Sequence, residues 1–135
     1  MKYKKYIVLV AILIILLGTF ISINNIEKRK IEVKFEIGEK PGFDLDPEAL
    51  TFGRIPKNSS ATRNINIYNE FNHDIYIYIS LSKNLLGFLS VSENNFILNP
   101  QESKNISFFI NSKNESELGV YEGYVIIKTT RGWLR

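Results

Sequence analysis

The chain has 135 residues, a formal net charge of +3, one histidine and no cysteine. Without cysteine it has neither disulfides nor thiolate metal ligands, so any domain must be held together by its apolar core. Residues 1–30 carry six Lys or Arg against one Glu, whereas residues 31–135 carry eleven against thirteen Asp or Glu. The later part is therefore slightly acidic, which excludes the basic footprint of a nucleic-acid-binding domain.

The first predicted element is a membrane-spanning helix over residues 7–23, a run without charged side chains. As a helix it would be about 26 Å long, near the lower limit for crossing a bilayer. Basic residues flank the run at both ends: Lys2, Lys4, Lys5, Lys28, Arg29 and Lys30. The sequence thus predicts that the lipid bilayer is a partner of the chain through residues 7–23.

Two other interpretations of this run compete with a retained anchor. A cleaved signal peptide would carry small residues at its cleavage site, whereas residues 18–23 read Gly-Thr-Phe-Ile-Ser-Ile. A buried core helix would have a polar face, and this run is apolar on all sides. We therefore expect residues 1–30 to form a single-pass anchor with its flanks, and residues 31–135 to form one extracytoplasmic domain. The positively charged N-terminal tail favours a cytoplasmic N-terminus.

Beyond the anchor, apolar and polar residues alternate, which is typical of half-buried strands. Strands are predicted at residues 31–37, 49–52, 64–68, 75–81, 85–91, 96–98, 106–110 and 120–129, with a polar connector at residues 38–47. This spacing of short strands predicts an all-β fold, namely an antiparallel β-sandwich. The apolar sides of these strands are expected to form the core between the sheets: Ile65, Ile67, Ile77, Ile79, Phe108, Ile110, Val125 and Ile127.

Four motifs carry a family resemblance. They are Leu50-x-Phe52-Gly53-x-Ile55-Pro56-x-x-Ser59, a strand ending at Asn69, Phe96-x-Leu98-x-Pro100-x-x-Ser103, and Gly119-x-Tyr121-x-Gly123-x-Val125-x-Ile127. Together they resemble the immunoglobulin-like β-sandwich modules of the major sperm protein/hydin-like group, which are common in archaeal and bacterial surface proteins. The resemblance covers residues 49–130. It implies an immunoglobulin-like fold and a binding or scaffolding role without catalytic residues.

The resemblance also raises a question about the last strand. Family members have a further strand after the glycine-containing one, whereas here only residues 131–135 remain, so that strand is expected to be short or missing. An apolar strand left at a sheet edge invites another strand to pair with it. We expect residues 31–37 to fold back and fill this edge. A strand donated by a partner is the alternative.

The polar residues form no recognisable catalytic, cofactor-binding or metal-binding motif, so we predict a protein that is not an enzyme. His73, the single histidine, lies in a predicted turn and is expected to be structural. The acidic run Asp44-Leu45-Asp46-Pro47-Glu48 lacks the glycine that an EF-hand calcium loop needs at its sixth position, which is Ala49. We expect this run to be a solvated connector.

Three Asn-x-Ser motifs begin at Asn58, Asn105 and Asn114. In an exported domain, Asn58 and Asn114 lie in predicted loops and are candidate glycosylation sites, whereas Asn105 begins a strand. Gly119 and Gly123 have the spacing of a helix-dimer motif but lie in a predicted strand. A close approach of the backbone to another element, or a β-bulge, explains them better.

Successive side chains of a strand point to opposite faces of the sheet, and this alternation predicts one exposed aromatic patch. If the isoleucines of the 75–81 strand face the core, Tyr76 and Tyr78 face solvent, and the same argument exposes Tyr124 and Ile126. The two strands are neighbours in the family that the chain resembles, so these four residues are a candidate partner surface. Cross-strand aromatic pairs also stabilise sheets without any partner, and that interpretation stays open.

The sequence therefore predicts a membrane-anchored extracytoplasmic β-sandwich. Its expected role is a non-catalytic binding, adhesion or assembly module at the cell envelope, with a protein partner at the cell surface. One alternative is an accessory subunit of a pilus or archaellum-like structure, although no small residue precedes the apolar run for prepilin processing. The other is a carbohydrate-binding module, which would need a concave surface with a polar rim around Tyr76 and Tyr78.

Overall fold

The computed structural model describes residues 2–42 and 49–132, and contains one helix followed by a two-layered β domain. The elements are α1 Lys2–Asn24, β1 Asn25–Gly38, β2 Leu50–Pro56, β3 Ser60–Tyr68, β4 Ile75–Leu81, a 3-10 helix Lys83–Leu85, β5 Leu89–Val91, β6 Phe96–Leu98, β7 Ser103–Asn111 and β8 Gly119–Arg131. The acidic run at residues 44–48 and residues 133–135 lie outside the described residues. The predictions made for them stay predictions.

Helix α1 is the one helix in the described ranges that is long and apolar enough to cross a membrane. Its apolar stretch Tyr3–Phe20 has a mean hydropathy of 1.9, and none of it is buried against the rest of the protein. Its Thr19 hydroxyl donates to the carbonyl oxygens of Ile15 at 3.0 Å and Leu16 at 2.9 Å, so this polar group is satisfied within the helix. Membrane anchors and signal sequences share these properties.

Strand β1 begins at Asn25, directly after α1 ends at Asn24. The sequence predicted the first strand from residue 31 onward, so the basic cluster at residues 28–30 belongs to a strand and not to a linker. Strand β1 pairs antiparallel with β8 along nearly its whole length, from Asn25 opposite Thr130 to Ile37 opposite Gly119. The prediction that residues 31–37 fill the edge beside the last strand is confirmed.

Five strands form one sheet in the order β2-β1-β8-β4-β6, and three form a second sheet in the order β3-β7-β5. All pairs are antiparallel except β1–β2, which is parallel. The prediction of a purely antiparallel fold is therefore wrong at this pair. Strand β1 ends at Gly38 and β2 begins at Leu50, so a longer connection than a hairpin turn joins the two strands, as parallel neighbours require.

Strand β2 covers only part of β1. Their pairing runs from Val33 opposite Leu50 to Gly38 opposite Pro56, so residues 25–32 of β1 have no described strand on that side. The register shifts beside Gly53, whose φ of 69° suits glycine, and this bulge lets β2 continue to Pro56. The sequence-based prediction that the strand ends at Gly53 is wrong for that reason.

The core lies between the two sheets and contains six of the eight predicted core residues as buried side chains: Ile77, Ile79, Phe108, Ile110, Val125 and Ile127. Ile65 and Ile67 are only partly buried but pack against this core, so the prediction that they form the core between the sheets holds for them only in part. Both lie on β3, which is an edge strand of the smaller sheet. An edge strand is covered on fewer sides, which leaves its inward residues half exposed.

A close approach between β8 and the 3-10 helix explains one of the two spaced glycines. A Cβ at Gly123 would lie 2.6 Å from the Cγ atom of Leu85, a side chain that is fully buried. The prediction of close backbone approach is thus confirmed at Gly123. Tyr121, on the same strand, stacks on the buried Phe35 with 5.1 Å between ring centroids.

Candidate functional site

The four residues of the predicted aromatic patch lie on the outer face of the five-stranded sheet, the side away from the second sheet. Tyr78 and Tyr124 are 44% and 39% exposed, and Tyr76 and Ile126 are half-buried. Strands β4 and β8, which carry them, are direct neighbours. The structure therefore confirms that β4 and β8 are neighbours and that these four side chains point away from the core.

The register shows that these four side chains do not form one continuous apolar patch. Tyr78 lies opposite Lys128, and Ile126 lies opposite Ser80, so Tyr78 and Ile126 are diagonal neighbours. Tyr76 lies opposite Thr130, six residues from Tyr124 along β8, which corresponds to about 20 Å. The structure brings Tyr78 and Ile126 together, separates Tyr76 from Tyr124, and places basic and hydroxyl side chains between them.

A concave surface lies beside Tyr124. The cavity has a volume of about 800 Å³, and its lining includes Lys30, Glu32 and Asn84, which give it a polar rim. The Nζ atom of Lys30 lies 4.5 Å from the centroid of the Tyr124 ring. Neither tyrosine of β4 lines this cavity, so the concavity that a carbohydrate site would need occurs at Tyr124.

A second depression opens between the two sheets, where Glu27 and Arg29 of β1 face the edge strand β3. We call it the side groove; its volume is about 350 Å³, and it is lined by Glu27, Arg29, Ile65, Asn66, Ile67, Tyr68, Glu70, Phe71, Ile75, Ile127 and Thr129. Its floor is apolar and its rim is charged. Sequence reasoning missed this groove, because Ile65 and Ile67 have the alternation of core residues and no local pattern places β3 at a sheet edge.

One buried polar side chain organises the loops at the same end of the domain as the side groove. Asn69 is completely buried, and its Nδ2 atom donates to the carbonyl oxygens of His73 at 3.0 Å, Leu98 at 3.1 Å and Asn99 at 2.9 Å. Its Oδ1 atom accepts from the backbone N–H of Phe71 at 3.0 Å. Asn69 therefore fixes the position of Phe71, a groove residue, relative to β6.

The two loop asparagines proposed for glycosylation lie side by side, at the end of the domain opposite α1. The Nδ2 atom of Asn58 lies 3.5 Å from the Oδ1 atom of Asn114, and both residues are exposed. Asn105 is exposed on β7. The structure thus makes Asn58 and Asn114 accessible and adjacent, and their modification stays a prediction.

The described residues contain no group of three or more His, Asp or Glu side chains that could hold a metal ion. The His73 ring packs 5.4 Å from the ring of Phe71, and its Nε2 atom is buried without a hydrogen-bond partner in this part of the chain. This packing is structural. The expectation that the chain has no catalytic, cofactor or metal site stays a prediction.

Comparison with known proteins gave no matching family model, no similar curated protein and no similar solved structure. The resemblance to the major sperm protein/hydin-like group therefore stays a prediction, and function has to be argued from the geometry of the outer face and the side groove.

Proposed function

We propose that the chain is a single-pass membrane protein, anchored by residues 7–23, with a cytoplasmic N-terminus and an extracytoplasmic β domain. The unburied apolar surface of α1 and its internally bonded Thr19 support a lipid environment. Protease added to intact cells or spheroplasts is expected to degrade the domain. Full protection of the domain, or release of a chain that lacks residues 1–22, would contradict this topology.

The proposed fold of the domain is immunoglobulin-like, as in the major sperm protein/hydin-like group. Two stacked sheets, the adjacency of β4 and β8, and the glycine-containing motif within β8 support this assignment. Strand β1, which the resemblance does not include, takes the position of an additional strand beside β8. An experimental structure and its strand order would decide this assignment.

The proposed role of the domain is non-catalytic binding in an assembly at the cell envelope, and the side groove is the observation that supports it most directly. Two strand edges face the groove: residues 25–32 of β1, which β2 leaves uncovered, and β3, which ends the smaller sheet. Unpaired N–H and C=O groups at such edges pair readily with an added strand. The half-buried Ile65 and Ile67 supply an apolar surface for alternate side chains of that strand.

The partner expected from this geometry is a protein that contributes an extended segment with alternating apolar residues. Main-chain hydrogen bonds would supply affinity, and the pockets beside the two isoleucines would supply specificity. Glu27 and Arg29 at the rim favour a segment that carries charges of both signs on its other face.

The test uses the full chain in native membranes. A photo-crosslinking side chain at Asn66, which lines the groove, is expected to capture a protein that the same side chain at Ser90, on β5, does not capture. Ile67→Arg should abolish the product. The purified partner should then slow hydrogen exchange at the amides of residues 27–32, because strand addition protects backbone groups. Unchanged exchange, or equal crosslinking from Ser90, would contradict strand addition.

A second candidate function is carbohydrate binding at the concavity beside Tyr124. An aromatic ring beside Lys30, Glu32 and Asn84 combines a flat apolar surface with polar groups, as sugar recognition requires. If this function is correct, Tyr124→Ala should abolish binding on a glycan array, whereas Tyr78→Ala, outside the concavity, should preserve it. Equal effects of the two substitutions would remove this candidate.

A further inference from the structure

We propose that the half of the outer face nearest α1 lies against anionic lipid headgroups of the bilayer that α1 spans. The inference rests on the proposed membrane anchor, and it assigns a partner to the face that carries Tyr76 and Tyr78. The partner is the membrane surface itself, and the side groove remains the site for a protein.

The half of the outer face that is far from α1 is internally neutralised. Lys34 on β1 pairs with Glu122 on β8 at 3.1 Å, and Arg54 on β2 pairs with Glu36 on β1 at 2.9 Å. Lys34 and Arg54 on the strands of this half are thus each matched by a carboxylate on a neighbouring strand. An anionic surface would gain little from these two side chains, because their charges are already compensated.

The half of the outer face nearest α1 carries lysines that form no ion pair within the described residues. Lys28 on β1 lies directly opposite Lys128 on β8, and both are exposed. No carboxylate in the described ranges forms an ion pair with either of them or with Lys30, although Glu32 lies only two residues after Lys30 in the chain. Like charges placed opposite each other destabilise a sheet. This pair therefore favours an anionic partner from outside the domain.

The side chains between these lysines suit the membrane–water interface. Tyr78 lies opposite Lys128, and Tyr76 lies two residues before Tyr78 on the same strand, opposite Thr130, so two tyrosines stand beside the lysine pair on this half of the face. Tyrosine is enriched at the headgroup level because its ring is apolar and its hydroxyl is polar. Lysine extends its apolar stem along such a surface while its ammonium group reaches the phosphates.

The connection between helix and strand keeps this half of the face close to the membrane. Because β1 starts at the residue after α1, Lys28 lies only about 13 Å along the strand from the end of the helix. That distance is comparable with the Debye length of about 10 Å at 0.1 M salt. Because α1 anchors the domain to the same bilayer, a weak attraction is enough to keep this half of the outer face in contact with the headgroups.

The test exploits the absence of cysteine, because one introduced cysteine gives a single spin-label site. Ser80→Cys places the label on the outer face, and Ser90→Cys places it on the other sheet. The full chain is reconstituted in vesicles of phosphatidylcholine alone, or of phosphatidylcholine mixed equally with phosphatidylglycerol, each with a nickel-chelating headgroup lipid. Relaxation of the Ser80→Cys label by nickel should be stronger in the mixed vesicles and fall at high salt. The Ser90→Cys label should not respond.

A charge-reversal variant separates lipid contact from folding. Lys28→Glu places a carboxylate opposite Lys128, so the thermal stability of the domain should be kept or raised. The lipid contact should weaken about 30-fold, because the reversal changes the charge by two units and each unit is worth about five-fold. The matched control is Lys57→Glu, in the exposed turn between β2 and β3 at the far end of the domain. It should leave nickel relaxation unchanged.

The outcomes distinguish this inference from the proposed anchor. A protein that does not float with vesicles would contradict the anchor. A protein that floats, but whose Ser80→Cys and Ser90→Cys labels respond equally, or respond equally in the two lipid mixtures, would overturn the lipid-facing assignment alone. An effect of Lys57→Glu as large as that of Lys28→Glu would overturn it as well, because the attraction would then be a property of net charge.

Discussion

The side-chain Nδ2 atom of Asn69 donates a hydrogen bond to the carbonyl oxygen of Leu98 at 3.1 Å, although the two residues are 29 positions apart in the chain. Together with its bond to the carbonyl oxygen of Asn99, this contact joins the end of β3 to the turn after β6. Removing a buried partner leaves carbonyl groups without a donor, which costs more than the bonds themselves contribute.

We therefore expect Asn69→Ala to lower the free energy of unfolding by about 3 kcal/mol. Urea titration of the full chain in detergent micelles, followed by near-ultraviolet circular dichroism, measures this change. The control is Asn66→Ala, an exposed asparagine on the same strand, with an expected effect of about 0.5 kcal/mol or less. A loss at Asn69 no larger than the loss at Asn66 would show that the buried amide is dispensable.

The alternation in β4 predicts opposite responses from neighbouring residues. Ile77 is fully buried and Tyr78 is 44% exposed. Ile77→Ala should cost about 2–5 kcal/mol, because it removes buried methyl groups and leaves a cavity. Tyr78→Ala should cost less than about 1 kcal/mol in the same urea titration. Equal destabilisation by the two substitutions would contradict the direction of the strand.

The period-two alternation was enough to predict the facing of β4, β7 and β8, because each of these strands has one buried and one exposed side. It failed where a strand extends beyond the core. Residues 25–30 of β1 continue the pairing with β8 although several of them are charged, since the backbone supplies the hydrogen bonds and the side chains need no apolar environment. A prediction from alternation alone therefore makes β1 too short at its N-terminal end.

The side groove and the parallel pair were beyond sequence reasoning for a related reason. Ile65 and Ile67 have the pattern of core residues, and only the position of β3 at a sheet edge leaves them half exposed. The pairing of β1 with β2 depends on the path of the connector, whose polar residues carry no periodicity. Edges and strand order are properties of the whole sheet, which local patterns do not contain.

A substitution at Gly123 can test how β8 packs against the 3-10 helix. A Cβ there would lie 2.6 Å from the Cγ atom of Leu85, and overpacking of this kind typically costs about 1–3 kcal/mol. Gly123→Ala should lower stability by that amount. The Oγ atom of Ser82 lies even closer to the added Cβ than Leu85 does, so Ser82→Ala and Leu85→Ala together should make the added methyl group tolerable. Val120→Ala, an exposed position on the same strand, is the control. A cost at Gly123 that does not depend on residues 82 and 85 would contradict these contacts.

The hydrogen bonds to Glu102 predict a lowered pKa for its carboxyl group, which a titration can measure. The backbone N–H of Asn99 and, second, its side-chain amide donate to the Glu102 carboxylate at 2.8 Å, and together with Lys104 they hold the pKa of Glu102 below its ordinary value of 4.5. Because the folded-state pKa is lowered, the contribution of Glu102 to stability is present above pH 4.5 and is lost as the pH falls through the lowered value. Carbon-detected NMR titration should find the midpoint of Glu102 below 4.5 and nearer to it in Asn99→Ala. Because alanine keeps the backbone N–H of residue 99, a midpoint that Asn99→Ala does not move would contradict only the contribution of the side-chain amide.

The last prediction concerns β1, which the sequence suggested as a filler for a sheet edge and the structure places between β2 and β8. Val33 and Phe35 are each only 1% exposed, so this strand belongs to the core. Deleting residues 31–37 should therefore abolish cooperative unfolding of the domain, an effect larger than the opening of one edge. The measurements are the urea titration and the resistance of the full chain to trypsin in micelles.

The control is Lys34→Gln, which removes only the exposed ion pair with Glu122 and should change stability by less than about 1 kcal/mol. A deleted chain that stays monomeric, protease-resistant and equally stable would show that β1 covers a domain already complete without it.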